Sequence, residues 1–322
     1  MPGGEDSTAR DLIGGRTPFE FPQGKQGPAQ RGRRRVRWAG RRGCLPLESA
    51  NEMKSLSILV YDEKTAPLQT AGLAEFLGET LGLPVEAREE FIGWHLAGLS
   101  EGERRARFEE LAREFSYLRV RKVEAPDSFS APLPMEVEME YRRLVNRNRG
   151  PSGIVYDGFH FQKRMGELLS PKEANLRYLH IILTNRLLAS WERDDRRHHL
   201  RTIILGQPAV ISTSGLVEAP AKPREYYFLR QRLPGDEVSR AALRRQFAGR
   251  FLEDSDERMN DLVKGYLLQA FFYFLTGEAF CPNPDCRLFN AHWQEEMLHA
   301  QTRPGAGLCE VHEEVLKRLA GI

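Results

Sequence analysis

The chain has 322 residues, 41% of them hydrophobic and 29% charged, with a formal net charge of +2, enough apolar material for one large or two modest domains. Four cysteines, three of them clustered, do not suggest a disulfide scaffold, and the longest apolar stretch, Tyr266 to Phe280, is shorter than the ~20 residues a membrane crossing needs. The expectation is a globular cytoplasmic protein with no membrane segment.

The charge is unevenly spread. Residues 1–52 hold ten Lys or Arg against six Asp or Glu, which is +4 and leaves −2 for the remainder. Within them RGRRRVRWAGRR (31–42) could contact nucleic acid through phosphate charge, but Gly, Pro and Arg dominate and apolar periodicity is absent. Residues 1–52 are therefore expected to be a disordered leader, dispensable if the protein proper starts at Met53.

From Met53 the pattern reads β-α-β-α-β. Leu56 to Tyr61 suit a buried strand, Leu73, Phe76, Leu77 and Leu81 a helix face, and Val85 to Ile92 a second strand. Phe108, Leu111, Ala112 and Phe115 mark a second helix, and LRVRKV (118–123) alternates like a half-buried strand. This predicts an N-terminal α/β unit at 53–125 and a second domain at 126–322, separated by the proline-rich APDSFSAPLP (125–134). Beyond it come a helix through Tyr141, Leu144 and Val145 and strands in YLHIILTN, RTIILG and PAVIST. A charged loop, ERDDRRHHLR (192–201), lies between the first two strands, and helices follow at 224–232 and 236–251.

The most specific signal lies in 254–319. Asp254 and Glu257 resemble a capping box, Gly277 suits the left-handed position after a helix, and the helix between them is apolar on all sides from Tyr266 onward. It leads into Cys281 and Cys286, a C-x4-C hook, and then Cys309 and His312, a C-x2-H hook. Cys309 opens a last helix with Val311, Val315 and Leu319 facing inward. Three thiols and an imidazole make a complete tetrahedral set for one Zn2+, with no position left for water or substrate, so the expected site is structural.

The same residues carry a resemblance. GEAFCPNPDCRL (277–288) and LCEVH (308–312) are similar to the end of the archaemetzincin pattern, H-E-x-x-H-x-x-G-x-x-H followed by C-x4-C-x-M and C-x2-C, with His312 in place of the last cysteine. PAVIST resembles that family's edge strand. Over 53–319, YDGF, STSGLVEAPAKPREYY and DCRLFNAHWQEE resemble an uncharacterised prokaryotic metallopeptidase family. The resemblance implies an α/β (α+β), metzincin-like layered domain with a C-terminal structural zinc site. It also implies that the family's catalytic histidines and glutamate fall on Ala270, Phe271, Phe274 and Phe280, and the methionine beneath its metal on Leu288. None of these ligates zinc or accepts a proton, which suggests a filled core where the metal stood.

Two other clusters could supply ligands. His292, Glu296 and His299 are spaced i, i+4, i+7, which on a helix puts them on one face, a spacing that also suits a plain polar face with Trp293 and Met297 turned inward. His198 and His199, joined by Asp157, His160 and Glu218, form another set, although adjacent histidines on a strand point apart. No catalytic residue is identified, and no Walker loop or dinucleotide fingerprint is present. Two readings follow: a zinc-stabilised, archaemetzincin-related protein that binds peptide or protein without metzincin catalysis, or a metal-dependent peptidase or other hydrolase with rearranged ligands. Oligomeric state is not readable.

Overall fold

The structure is a computed structural model describing residues 55–63, 67–126, 130–146 and 150–320, with the backbone alone for 319 and 320. The expected leader at 1–52 and the start at Met53 lie outside the described residues.

A five-stranded sheet in the order β2-β1-β4-β8-β7 forms the frame. Its strands are β1 (Ser57–Tyr61), β2 (Val85–Arg88), β4 (Tyr178–Thr184), β7 (Ile203–Ile204) and β8 (Ala209–Ser212). All pair in parallel except β7, which runs antiparallel to β8. The register sets Leu59 opposite His180 and Ile181 opposite Ala209. Both faces are covered, so these strands read as apolar runs rather than alternations. Ile58, Val60, Leu179, Ile181, Leu183 and Ile211 enter one core; Leu59, Tyr61, Ile182 and Val210 enter the other.

The first core packs against α1 (Thr70–Leu81), α9 (Met259–Thr276) and α10 (Gln294–Thr302). The second is closed by α2 (Phe91–His95), α3 (Glu101–Tyr117), α4 (Pro134–Val145) and α5 (Gly158–Glu167). A three-stranded sheet, β3 (Val155–Asp157), β5 (Leu187–Glu192) and β6 (Arg197–Arg201), abuts this side. Helix α6 (Thr213–Glu218) follows β8, α7 (Arg224–Arg232) and α8 (Glu237–Gln246) enclose a small cluster around Leu243, Phe247 and Phe251, and α11 (Glu310–Ala320) ends the described chain. The protein is thus a mixed α/β layered fold. Among the described residues no helix is long and apolar enough to cross a membrane.

Several expectations are corrected. The boundary at 125 cuts the main sheet, because β1 pairs with β4, so 53–125 and 126–322 share one frame. LRVRKV makes only an isolated bridge, Arg119 to Tyr156; the place beside β1 is taken by the longer β4, buried from Leu179 to Thr184. Phe91 and Ile92 begin a helix because the Glu90 carboxylate accepts from the backbone N–H of Ile92 and Gly93. ERDDRRHHLR is not a loop: its second half is β6, paired with β5, a strand absent from the sequence reading. PAVIST supplies β8, an interior strand; the edge is β7. Helix α9 starts at Met259 rather than at the Asp254 capping box, since its N-cap position is Arg258, while Gly277 ends it at φ 76° as expected.

Candidate metal centre

The last apolar turn of α9 and Gly277 deliver the chain to Cys281 in a fixed direction. The first hook is then closed by its own backbone: Cys281 N–H donates to Leu288 O at 2.8 Å, Cys286 N–H to Asn283 O at 3.0 Å, and Phe289 N–H to Cys286 O at 2.9 Å. Asn283 N–H donates to Cys281 Sγ at 3.4 Å, a contact that favours a thiolate. The second hook is a helix start, in which Cys309 O accepts from His312 N–H and Glu313 N–H at 2.9 and 3.0 Å. Cys309 therefore sits at the N-terminal, positive end of the α11 dipole.

Between the hooks lies Arg287, whose side chain donates to Ala306 O, Asp261 O and Gln301 Oε1 while its backbone N–H reaches Gly307 O. Gln301 Nε2 donates back to Arg287 O at 2.8 Å. This network joins the hook to α9, α10 and the 305–307 turn. Gly265 makes the approach possible, because a Cβ there would lie 2.1 Å from Gln301 Oε1.

As a result the donor atoms of Cys281, Cys286, Cys309 and His312 all lie within 4.8 Å of one another. Cys281 Sγ is 3.8 Å from Cys309 Sγ, and His312 Nδ1 is 3.1 and 3.9 Å from Cys309 Sγ and Cys286 Sγ. Two sulfurs on a tetrahedral zinc at ~2.3 Å stand about 3.8 Å apart, so the donor set fits that ion. Burial pushes the Cys281 thiol up and the Cys286 thiol up to about 12, and burial holds His312 below its ordinary value. Neutral imidazole is the ligating form; the thiols lose their protons only to a cation. The four residues could therefore hold one Zn2+. Phe272 stacks edge-on against His312 at 5.3 Å and restricts its ring. One inward-facing expectation fails: Val311 is 62% exposed, while Val315 packs against the core, and the Leu319 side chain lies outside the described residues.

His292, Glu296 and His299 are not brought together. His292 precedes α10, Glu296 turns back to accept from the backbone N–H of His292 and Trp293, and His299 Nε2 meets Asp285 at 2.8 Å. Capping therefore takes the carboxylate that a metal would need. In the other set, Asp157 stands between two rings, 2.9 Å from His160 Nδ1 and 3.9 Å from buried His198 Nε2. His199 turns the other way to Asp195, and Glu218 lies at the end of α6. Among the described residues, only the Cys3His group offers three or more such donors converging within metal reach.

The residues expected to stand in place of metzincin ligands are largely core. Ala270, Phe271, Phe274 and Leu288 are buried in the first core. Phe280 departs from the expected filled core, being 44% exposed beyond the helix end.

A buried ionic cluster escaped the sequence reading. Glu140 on α4, 1% exposed, accepts from Arg119 at 2.8 Å, from Arg186 at 2.6 Å and from the Tyr156 hydroxyl. Burial alone would raise its carboxyl, but Arg186, the Tyr156 hydroxyl and Arg119 hold it down at about 2. Its signal was a carboxylate within the apolar stripe Val137, Tyr141, Leu144.

Comparison with known proteins bears on this centre. The model of the probable metallopeptidase family (DUF6775) matches residues 54–319. The structure of a zinc-dependent peptidase from Methanocorpusculum labreanum is similar at 13% identity and a TM-score of 0.37, over 81% of this chain and 98% of that one. No curated protein matches the chain. The match to the family model spans both hooks and the whole sheet, and the chain belongs to the probable metallopeptidase family.

Proposed function

We propose that Cys281, Cys286, Cys309 and His312 hold one structural zinc, and that the chain is an archaemetzincin-related binding protein for peptide or protein rather than a metzincin-type hydrolase. The convergence of four protein donors within 4.8 Å carries this reading, because a catalytic zinc keeps a position open for water or substrate and this set leaves none. The buried Ala270, Phe271 and Phe274 support it, since carbon side chains there offer neither ligand nor base. Zinc at this centre would turn the last helix and the 305–307 turn into one rigid unit with α9. The test is metal content and hydrolysis together. One zinc per chain, released only with unfolding, and no cleavage of peptide libraries are expected.

A second reading, a metal-dependent hydrolase with rearranged ligands, is favoured by one observation, the placement of Asp157 between His160 and His198. A second, exchangeable metal that disappears in His198→Ala together with peptide hydrolysis would establish it and displace the first.

A further inference from the structure

The main sheet reverses its winding between β1 and β4. The connection leaving β1 crosses through α1 against the first core to β2, whereas that leaving β4 runs through β5, β6 and β7 to β8, with Leu188 and Ile204 in the second core. Where successive connections diverge, the carboxyl ends of the strands leave a crevice, the usual ligand position in open α/β sheets.

A cavity of about 40 Å3 occupies this place, lined by Glu63 just beyond β1, Thr184 and Arg186 at the end of β4, Arg143 from α4 and Glu90. At the ~10–15 Å3 a water requires, it accommodates about three water-sized groups, the size of a carboxylate. The Arg186 guanidinium is 6% exposed and lies 4.9 Å from the ring centres of both Phe115 and Tyr156, so its orientation is set. One of its nitrogens is committed to Glu140. Arg143 donates to Ser152 Oγ at 2.6 Å and to the side-chain and backbone oxygens of Asn185. Among the described residues these hydrogen bonds end on neutral oxygens, so no carboxylate offsets its charge by direct contact. Glu90 is engaged as the α2 cap.

We propose that this cavity binds a carboxylate group, that of a small acid or of a polypeptide C-terminus, held between Arg143 and Arg186 at the ends of β1 and β4. Planar guanidinium forks match a carboxylate better than a point charge does. Glu63 completes the site. Burial and the neighbouring Glu90 push its carboxyl up to about 8, against the pull of Arg186 and Arg143, so near neutral pH it keeps its proton. It then presents an O–H donor rather than a competing anion. The site does not depend on how the zinc centre is read.

Saturation-transfer NMR with acetate on the full chain at neutral pH provides the test, with Gly-Gly and its C-terminal amide as competitors. Saturable acetate binding is expected. Displacement by Gly-Gly but not by its amide identifies a polypeptide end as a source, and failure of both to compete identifies small acids. Arg143→Gln should weaken acetate binding about tenfold or more, the loss of a charged hydrogen bond, while Glu63→Gln, which keeps a donor, should retain it. If Arg143→Gln melts early, Arg143→Lys makes the same comparison, since it keeps the charge and loses the fork. Equal binding by wild type and the Arg143 variants, no saturable binding, or methylammonium binding abolished by Glu63→Gln would overturn the proposal.

Discussion

The two polar centres of this protein are assembled in opposite ways. The Cys3His group draws its donors from two short hooks, 281–286 and 309–312, each closed by its own backbone hydrogen bonds. The cavity at the strand ends draws on residues 63, 90, 143, 184 and 186, which meet only because β1 and β4 are neighbours and α4 crosses their ends. The first centre is local chemistry placed by a helix; the second exists only once the sheet has formed. They should therefore respond differently to perturbation, the first through metal and the second through charge.

The largest effect should come from the hooks. Structural zinc contributes on the order of 10–16 kcal/mol of apparent binding energy in small zinc-finger domains, comparable to the stability of a whole domain. Cys281→Ser, or a strong chelator, is expected to lower the melting temperature sharply and to release zinc in step with the loss of near-UV circular dichroism. A variant that has lost its zinc but melts like the wild type would erase the contrast between the centres.

Next in size is Glu140→Gln. The substitution leaves Arg119 and Arg186 buried against a neutral amide, and breaking such a pair costs about 3–5 kcal/mol. The urea midpoint should fall while the zinc content stays at its wild-type value. A simultaneous loss of zinc would show that the two centres are coupled through the sheet.

A smaller effect should appear in the pH dependence. The Glu63 carboxyl titrates at about 8 in the folded chain against 4.5 as its ordinary value, so folding favours its protonated form. Its contribution to stability is complete below pH ~4.5 and is lost as the pH rises through about 8. Glu63→Gln should thus be more stable than the wild type at about pH 9, with the difference vanishing at about pH 4, as read from paired urea titrations. A pH-independent difference between the two proteins would remove Glu63 from the cavity's electrostatics.

The smallest effect is expected at His299. Its contact with Asp285 is exposed on both sides, and such pairs contribute about 0–1 kcal/mol. His292→Ala and His299→Ala should leave melting and metal content close to wild type, whereas a metal lost in either would restore a ligand role for that pair.

How much of this was legible beforehand varied with the range of the interaction. The amphipathic α3, with Phe108, Leu111, Ala112 and Phe115 buried, and the glycine stop of α9 followed directly from spacing. So did the four residues of the Cys3His group, because ligand chemistry needs particular side chains at short separations. LRVRKV misled because strand alternation says nothing about which partner is free to pair, and β4 competed better for the place beside β1. His292, Glu296 and His299 misled because helical spacing counts only where a helix exists, and α10 begins at Gln294.

By itself, then, the sequence determined the apolar runs that become strands, the buried helix α9, and the hooks that bring three thiols and an imidazole together, all set by neighbours a few residues apart. The tertiary structure alone decided that β1 would lie beside β4 across more than a hundred residues, that the supposed boundary at 125 would fall within one frame, and that Glu63, Arg143 and Arg186 would share a cavity. The reason is that a charged side chain carries no mark in sequence of the depth at which it will be buried; that depth is set by packing, and packing is a property of the whole sheet.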